Sequence, residues 1–234
     1  MTDAYRVTID EPLQIPAAVY EAAKRARDGD TTIDVVLDYQ EDPNAVRGYG
    51  EPLAYSDEEV ENVVRRPDGG LTWYHSTTVC YMRAEPETNE GVASKRDDWL
   101  DEVKGHLDDI IDDDTSIVDD GADIYVGSGE QLAGTSSQHR DGVDVHRCCL
   151  YDTDPRDEQL DALLQQDGIE PDTFYDAVTT PETSFDDRLD SLLNPETVEA
   201  DDFIAEESME KAEMLQERDH DHIRGSCVLA DYGP

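Results

Sequence analysis

A chain of 234 residues that carries 59 acidic against 18 basic side chains, a formal net charge of −41, has few ways to be a protein. High charge with modest hydrophobicity is the signature of disorder, and only 37% of these residues are hydrophobic. The alternative is a folded domain whose acidic surface is held in concentrated salt, where screening shortens electrostatic reach to about 3 Å at 1 M. The apolar residues decide between them. They fall in compact clusters, such as TIDVVLDY at 32–39 and LTWYHSTTVCYM at 71–82, as a folded, salt-adapted protein requires.

The same charge excludes direct nucleic-acid binding, which needs clustered Lys and Arg. The chain has four lysines, Lys24, Lys95, Lys104 and Lys211. No run of apolar residues is long enough to span a membrane, and the first residues lack the basic flank and apolar stretch of a signal peptide, so a cytoplasmic location is expected. The cysteines, Cys80, Cys148, Cys149 and Cys227, form no CxxC pair. No metal centre is expected, and in a reducing compartment all four read as free thiols. Adjacent Cys148 and Cys149 read as strand packing.

No repeat or linker divides the chain, which reads as one domain over 1–218 with a tail at 219–234. Residues 16–27 are expected as a helix behind Pro16, and 32–39 as a strand. The segment 41–52, with its Pro, Asn and Gly, is expected as a loop. Residues 60–85 read as strand, glycine turn and strand. Trp99, Leu100, Val103, Leu107, Ile110 and Ile111 recur at helical spacing within 97–113. A hairpin over 122–127 and 131–140 and a strand at 144–151 follow. Beyond residue 156 the pattern turns helical, ending in one helix that starts near Pro195. Strands followed by helices predict an α+β fold, a mixed or antiparallel sheet flanked by helices.

Two segments carry candidate chemistry. In the first, Arg65 and Arg66 precede Gly69 and Gly70, then Leu71, Thr72, Trp73, Tyr74 and His75. Paired glycines let backbone approach a ligand, and arginines donate to carboxylate or phosphate. The plain reading is a turn with two surface arginines. The second segment runs Asp123, Val126, Gly129, Gln131, Leu132, Ala133, Gly134, Thr135, Ser136, Gly142, His146 and Asp152. Alone it is an ordinary hairpin.

Together, in this order, the two segments resemble the signatures of the lipoate–protein ligase family, within the group that holds biotin ligases and octanoyl transferases. The stretch 167–183 is similar to the family's segment before its closing helices, so the resemblance covers roughly residues 35–215. It implies a divergent, haloarchaeal-type member with the biotin/lipoate ligase catalytic-domain fold. Such proteins activate lipoate with ATP and magnesium to a lipoyl-adenylate and pass the acyl group to a lysine of a lipoyl domain. That acceptor belongs to a 2-oxoacid dehydrogenase or to the glycine-cleavage H protein, and a second ligase polypeptide can complete the site. No tightly bound cofactor is implied.

By the same resemblance, Arg65, Arg66, Gly69, Gly70, Leu71, His75, Gly134, Thr135 and Ser136 would contact substrate. Leu71, Trp73 and Val126 would line the acyl tunnel. The position of the family's catalytic lysine is Gln131, the third glycine of the first signature is Leu71, and the neighbour of Gln131 is Glu130. Four readings stay open. The chain is an active ligase or transferase with Arg65, Arg66 or Arg140 as its cation; a non-catalytic binding subunit or sensor; a cysteine-dependent octanoyl transferase acting through Cys148 or Cys149; or an acidic protein matching by chance. His75 reads as a general base or as a structural hydrogen-bonder. His220 and His222 read as parts of a solvated tail.

Overall fold

The computed structural model describes residues 2–39, 44–48, 63–67, 72–87, 92–111, 117–119 and 123–217. Gly69, Gly70, Leu71 and the tail at 219–234 lie outside them. In chain order the elements are β1 (Thr2–Ile9), α1 (Gln14–Gly29), β2 (Thr32–Tyr39), β3 (Asn44–Arg47), β4 (Val63–Arg65), β5 (Trp73–His75), β6 (Thr78–Pro86), α2 (Val92–Asp108), β7 (Ile117–Asp119), β8 (Asp123–Val126), β9 (Gln131–Arg140), β10 (Val143–Tyr151), α3 (Glu158–Gln166), α4 (Pro171–Ala177), α5 (Phe185–Leu193), β11 (Glu196–Glu199), α6 (Ala200–Phe203) and α7 (Glu206–Gln216). The class is α+β, as the sequence predicts. No helix among the described residues is long and apolar enough to cross a membrane.

Eight strands form one mixed sheet in the order β11-β1-β2-β6-β10-β9-β8-β7. β1 is parallel to both β2 and β11, and every other pairing in that sheet is antiparallel. Side chains alternate across a strand, so a continuous apolar run must feed two cores. It does so here. Val35, Leu37, Cys80, Met82, Val145 and Cys149 pack with α1, while Val36, Val79, Tyr81, Cys148 and Leu150 pack with α2 and α5. Cys148 and Cys149, adjacent in sequence, therefore face opposite layers.

Local signals fix the edges of these elements. Asp141 and Gly142 both have positive φ, 52° and 78°, and close the tight turn that joins β9 to β10. An Asp-Gly pair suits that turn because its central residues must adopt left-handed backbone. Asp157 caps α3 by accepting from the amides of Gln159 and Leu160, and Ser184 caps α5 by accepting from Asp187 N–H.

Four expectations need correction. The loop expected at 41–52 contains β3, since the run Asn44–Arg47 is wholly buried and is paired on both edges. The strands either side of the double glycine do not pair with each other. Both flank β3, β4 parallel and β5 antiparallel, in a separate three-stranded sheet. No single helix begins at Pro195: Glu196–Glu199 extends beside β1 before two shorter helices. The N-terminal residues, assigned no element from sequence, form β1 near the sheet's edge, with Val7 and Ile9 in the core. In each case tertiary pairing overrides local propensity.

Candidate active site

The small sheet lies against the α1-side face of the large one, and this brings the two motif segments together. Trp73 of β5 stacks on Tyr151 of β10 with ring centroids 4.9 Å apart. The same indole covers Gly134 of β9. A Cβ placed on Gly134 would come within 2.6 and 2.8 Å of ring carbons of Trp73, so only glycine fits beneath it. The small residue of the second motif thus opens room for an aromatic residue of the first.

A third segment joins them. Gln131 forms a parallel bridge with Val178, and its carbonyl accepts from the Thr179 amide at 2.9 Å. Asp167 takes an ion pair from Arg47 at 2.6 Å, both side chains buried, and a hydrogen bond from the Tyr74 hydroxyl. Trp73 and Tyr74, Gln131 and Gly134, and Asp167, Val178 and Thr179, scattered in sequence, are thereby linked in space.

The expected roles fare differently. Arg65 and Arg66 are buried rather than displayed on a turn. Arg65 Nη1 donates to the Leu215 carbonyl at 3.1 Å, and the Gln216 side chain grips both the N–H and the carbonyl of Arg65 at 2.7 and 2.9 Å. Arg66 Nη1 donates to the Val46 carbonyl at 2.8 Å. Both therefore tie β4 to α7 and β3. Arg140 lies at the opposite end of β9 from Gln131, a strand length of roughly 30 Å at the usual rise. There it donates to the Tyr20 hydroxyl at 3.0 Å and covers that ring. Arg140 also lines a cleft with Tyr20, Lys24, Arg27, Lys211 and Leu215.

Other motif positions have structural work. The Asp123 carboxylate accepts from the Thr135 amide at 3.3 Å, and Asp152 accepts from Ser184 and from the Phe185 amide, fixing the start of α5. His146 is fully buried, shares a hydrogen bond with Ser137 at 2.8 Å and stacks on Trp99. Thr135 pairs with Cys148, and Ser136 with Arg147, across the β9–β10 ladder. Val126 packs in the α2-side core and Trp73 against the α1-side core, so the two do not line one channel.

His75 is 1% exposed, and neither ring nitrogen has a hydrogen-bond partner among the described residues. The expected structural hydrogen-bonder is therefore not one. Burial, with Arg147 and Arg66 nearby, lowers its pKa to about 3, so the imidazole is neutral and a weak base at neutral pH.

The cysteines also depart from expectation. Cys80 and Cys149, directly opposite in the β6–β10 ladder with Cα atoms 4.2 Å apart, form a disulfide. Cys148 is a buried free thiol whose pKa is pushed up to about 12 by desolvation, then by Asp123, so it stays protonated at neutral pH. His75, Cys80 and Cys149 group their donor atoms within 4.8 Å of one another. Sequence spacing pointed to none of this, because the three residues stand on three different strands.

The large mixed sheet flanked by helices has the fold of solved lipoate–protein ligases. Among solved structures, lipoate-protein ligase A bound with ATP superposes with a TM-score of 0.63 at 14% identity, over 94% of this chain and 95% of that one. LipL1 of P. falciparum in complex with lipoate gives 0.61 at 13% identity, over 98% of this chain and 75% of that one. A chain from the archaeal lipoylation system of Thermoplasma acidophilum, a bi-partite lipoate protein ligase and its E2 lipoyl domain, gives 0.59 at 15% identity over 94% of both. At these identities the likeness is one of fold. No family model matches the sequence, and no curated protein matches it.

Proposed function

We propose that the chain is a lipoate–protein ligase-like protein that binds lipoate or octanoate, free or as its adenylate, beside the Trp73–Gly134 contact, with acyl transfer to a lipoyl-domain lysine weakened or lost. One observation carries this reading. The three sequence segments that resemble the ligases are distant in the chain, yet they meet around Gly134 and Gln131. Chance resemblance gives no reason for such convergence.

The chemistry being asked for is demanding. The acyl carboxylate attacks the α-phosphorus of MgATP, pyrophosphate leaves, and the acceptor amine later displaces AMP from the acyl carbon. Negative charge builds at the phosphorus and at the leaving group, and a fixed cation there is commonly worth several kcal/mol, about 100-fold or more in rate. Gln131 can donate a hydrogen bond to the same oxygens but cannot offset their charge. Of the arginines considered as substitutes, Arg65 and Arg66 each donate to a backbone carbonyl and Arg140 to the Tyr20 hydroxyl. ATP and magnesium therefore enter as co-substrates of a weakened reaction, or of one that a second ligase polypeptide completes. The acceptor is a lipoyl domain of a 2-oxoacid dehydrogenase or a glycine-cleavage H protein.

A thioester route through Cys148 is disfavoured by its buried, protonated thiol, and Cys149 is held in the disulfide. Isothermal titration with lipoate, octanoate and a non-hydrolysable acyl-adenylate analogue tests the binding reading. Saturable binding that Gly134→Phe abolishes is the expected result. No binding of any of the three would overturn it.

A further inference from the structure

His75, Cys80 and Cys149 form a buried cluster that the acyl-transfer reading does not use. We propose that, with the disulfide reduced, these three residues bind one Cu(I) ion in a three-coordinate site of two thiolates and one imidazole.

Three observations carry the assignment. The donor atoms already lie within 4.8 Å of one another, and all three residues are buried, at 1%, 1% and 3% exposure. Among the described residues both nitrogens of His75 are without a partner, a costly condition for a buried imidazole unless something accepts its lone pair. Asn44 stands opposite His75 in the β3–β5 ladder, and its carboxamide is likewise buried without a partner among the described residues. A metal-bound histidine needs an acceptor for its other N–H, and the Asn44 side chain is the unfilled acceptor on the neighbouring strand.

The choice of ion follows from hardness, coordination number and charge. Thiolates select soft ions, Cu(I) among them. Structural zinc sites are four-coordinate, and among the described residues the cluster supplies three ligands. Arg66 and Arg147 are close enough to depress the basicity of His75. Their positive field opposes a bare cation but favours a site of net charge −1, which two thiolates and one Cu(I) make.

The disulfide gates the site. A dithiol donor supplies two electrons and two protons, its own sulfurs joining in a disulfide while the Cys80–Cys149 bond opens to two thiols. Cu(I) then forms two Cu–S bonds, releasing both protons, and one Cu–N bond to His75. No change in copper oxidation state is involved.

The test uses the full chain in a Cys148→Ala, Cys227→Ser background, so that Cys80 and Cys149 are the remaining thiols. The protein is reduced anaerobically and titrated with Cu(I) against a chromogenic chelator. Expected are one equivalent bound by the reduced protein, none by the oxidised protein, and at least a 10-fold weaker competition with His75→Ala. X-ray absorption on the unsubstituted reduced protein should count two sulfurs and one nitrogen on copper, a readout independent of whether the variants fold. The assignment is overturned if reduced protein binds no better than a Cys80→Ser variant, if His75→Ala binds unchanged, if sulfur alone surrounds the ion, or if Zn(II) binds and Cu(I) does not.

Discussion

At the scale of single residues, the contact between Trp73 and Gly134 bears most directly on the site. Gly134→Ala places a methyl group into the indole, and overpacking of this kind costs about 1–3 kcal/mol. The cost should fall sharply in a Trp73→Leu background, because the obstacle is then gone; denaturant melts of the double-mutant cycle measure that coupling. Equal costs in both backgrounds would mean the indole is not what excludes the side chain. Cys148 gives a second residue-level outcome. With its thiol pushed up to about 12 and fully enclosed, it should resist thiol-specific labelling in the native protein and react once denatured. Rapid labelling of the folded chain at neutral pH would return it to the list of nucleophiles. Residue chemistry was only partly legible in the sequence. Gly134 stood out as a small residue in a strand, but its covering partner did not, since Trp73 and Gly134 lie 61 positions apart. Arg65 and Arg66 looked like ligand contacts because their type suits anions, and only the fold reveals the carbonyls and the glutamine that hold them.

At the scale of elements, the cross-strand disulfide joins β6 to β10 at the centre of the large sheet, closing a loop with a sequence separation of 69 residues. Chain-entropy arguments give such a loop about 4 kcal/mol, with measured values more often 2–4. Reduction should therefore lower the denaturation midpoint by a corresponding amount, and Cys80→Ala with Cys149→Ala should reproduce the loss. Peptide mapping without reductant should recover the two cysteines linked. A midpoint indifferent to reductant would argue against the bond. The strand at 32–39 was readable to the residue because its β-branched run is local. β1, β3 and β11 were not: β3 and β11 are four residues each, and all three gain their stability from partners far away in sequence. Helix periodicity served better: Trp99, Leu100, Val103 and Leu107 all point into the core, though the helix is Val92–Asp108 rather than 97–113.

At the scale of the molecule, a net charge of −41 dominates behaviour in solution. Self-repulsion destabilises a compact acidic chain, and screening shortens its reach from about 10 Å at 0.1 M salt to about 3 Å at 1 M. The thermal midpoint should rise steeply between those concentrations of KCl. A flat or falling response would remove salt adaptation as the reason for the composition. The fold class was legible from the order of strands and helices, and the convergence of the three motif segments was legible only through family resemblance. The proposal is of a ligase fold that binds the acyl group beside Gly134 and lacks the cation at Gln131. The most direct test is the intact mass of a lipoyl domain incubated with lipoate, MgATP and the protein in molar KCl, beside Gln131→Lys. Gln131→Lys should add a lipoyl group at least about 100-fold faster than the natural chain. Equal rates of modification would contradict the proposal; no modification by either would point to a binding role, a missing partner chain or a mistaken family resemblance.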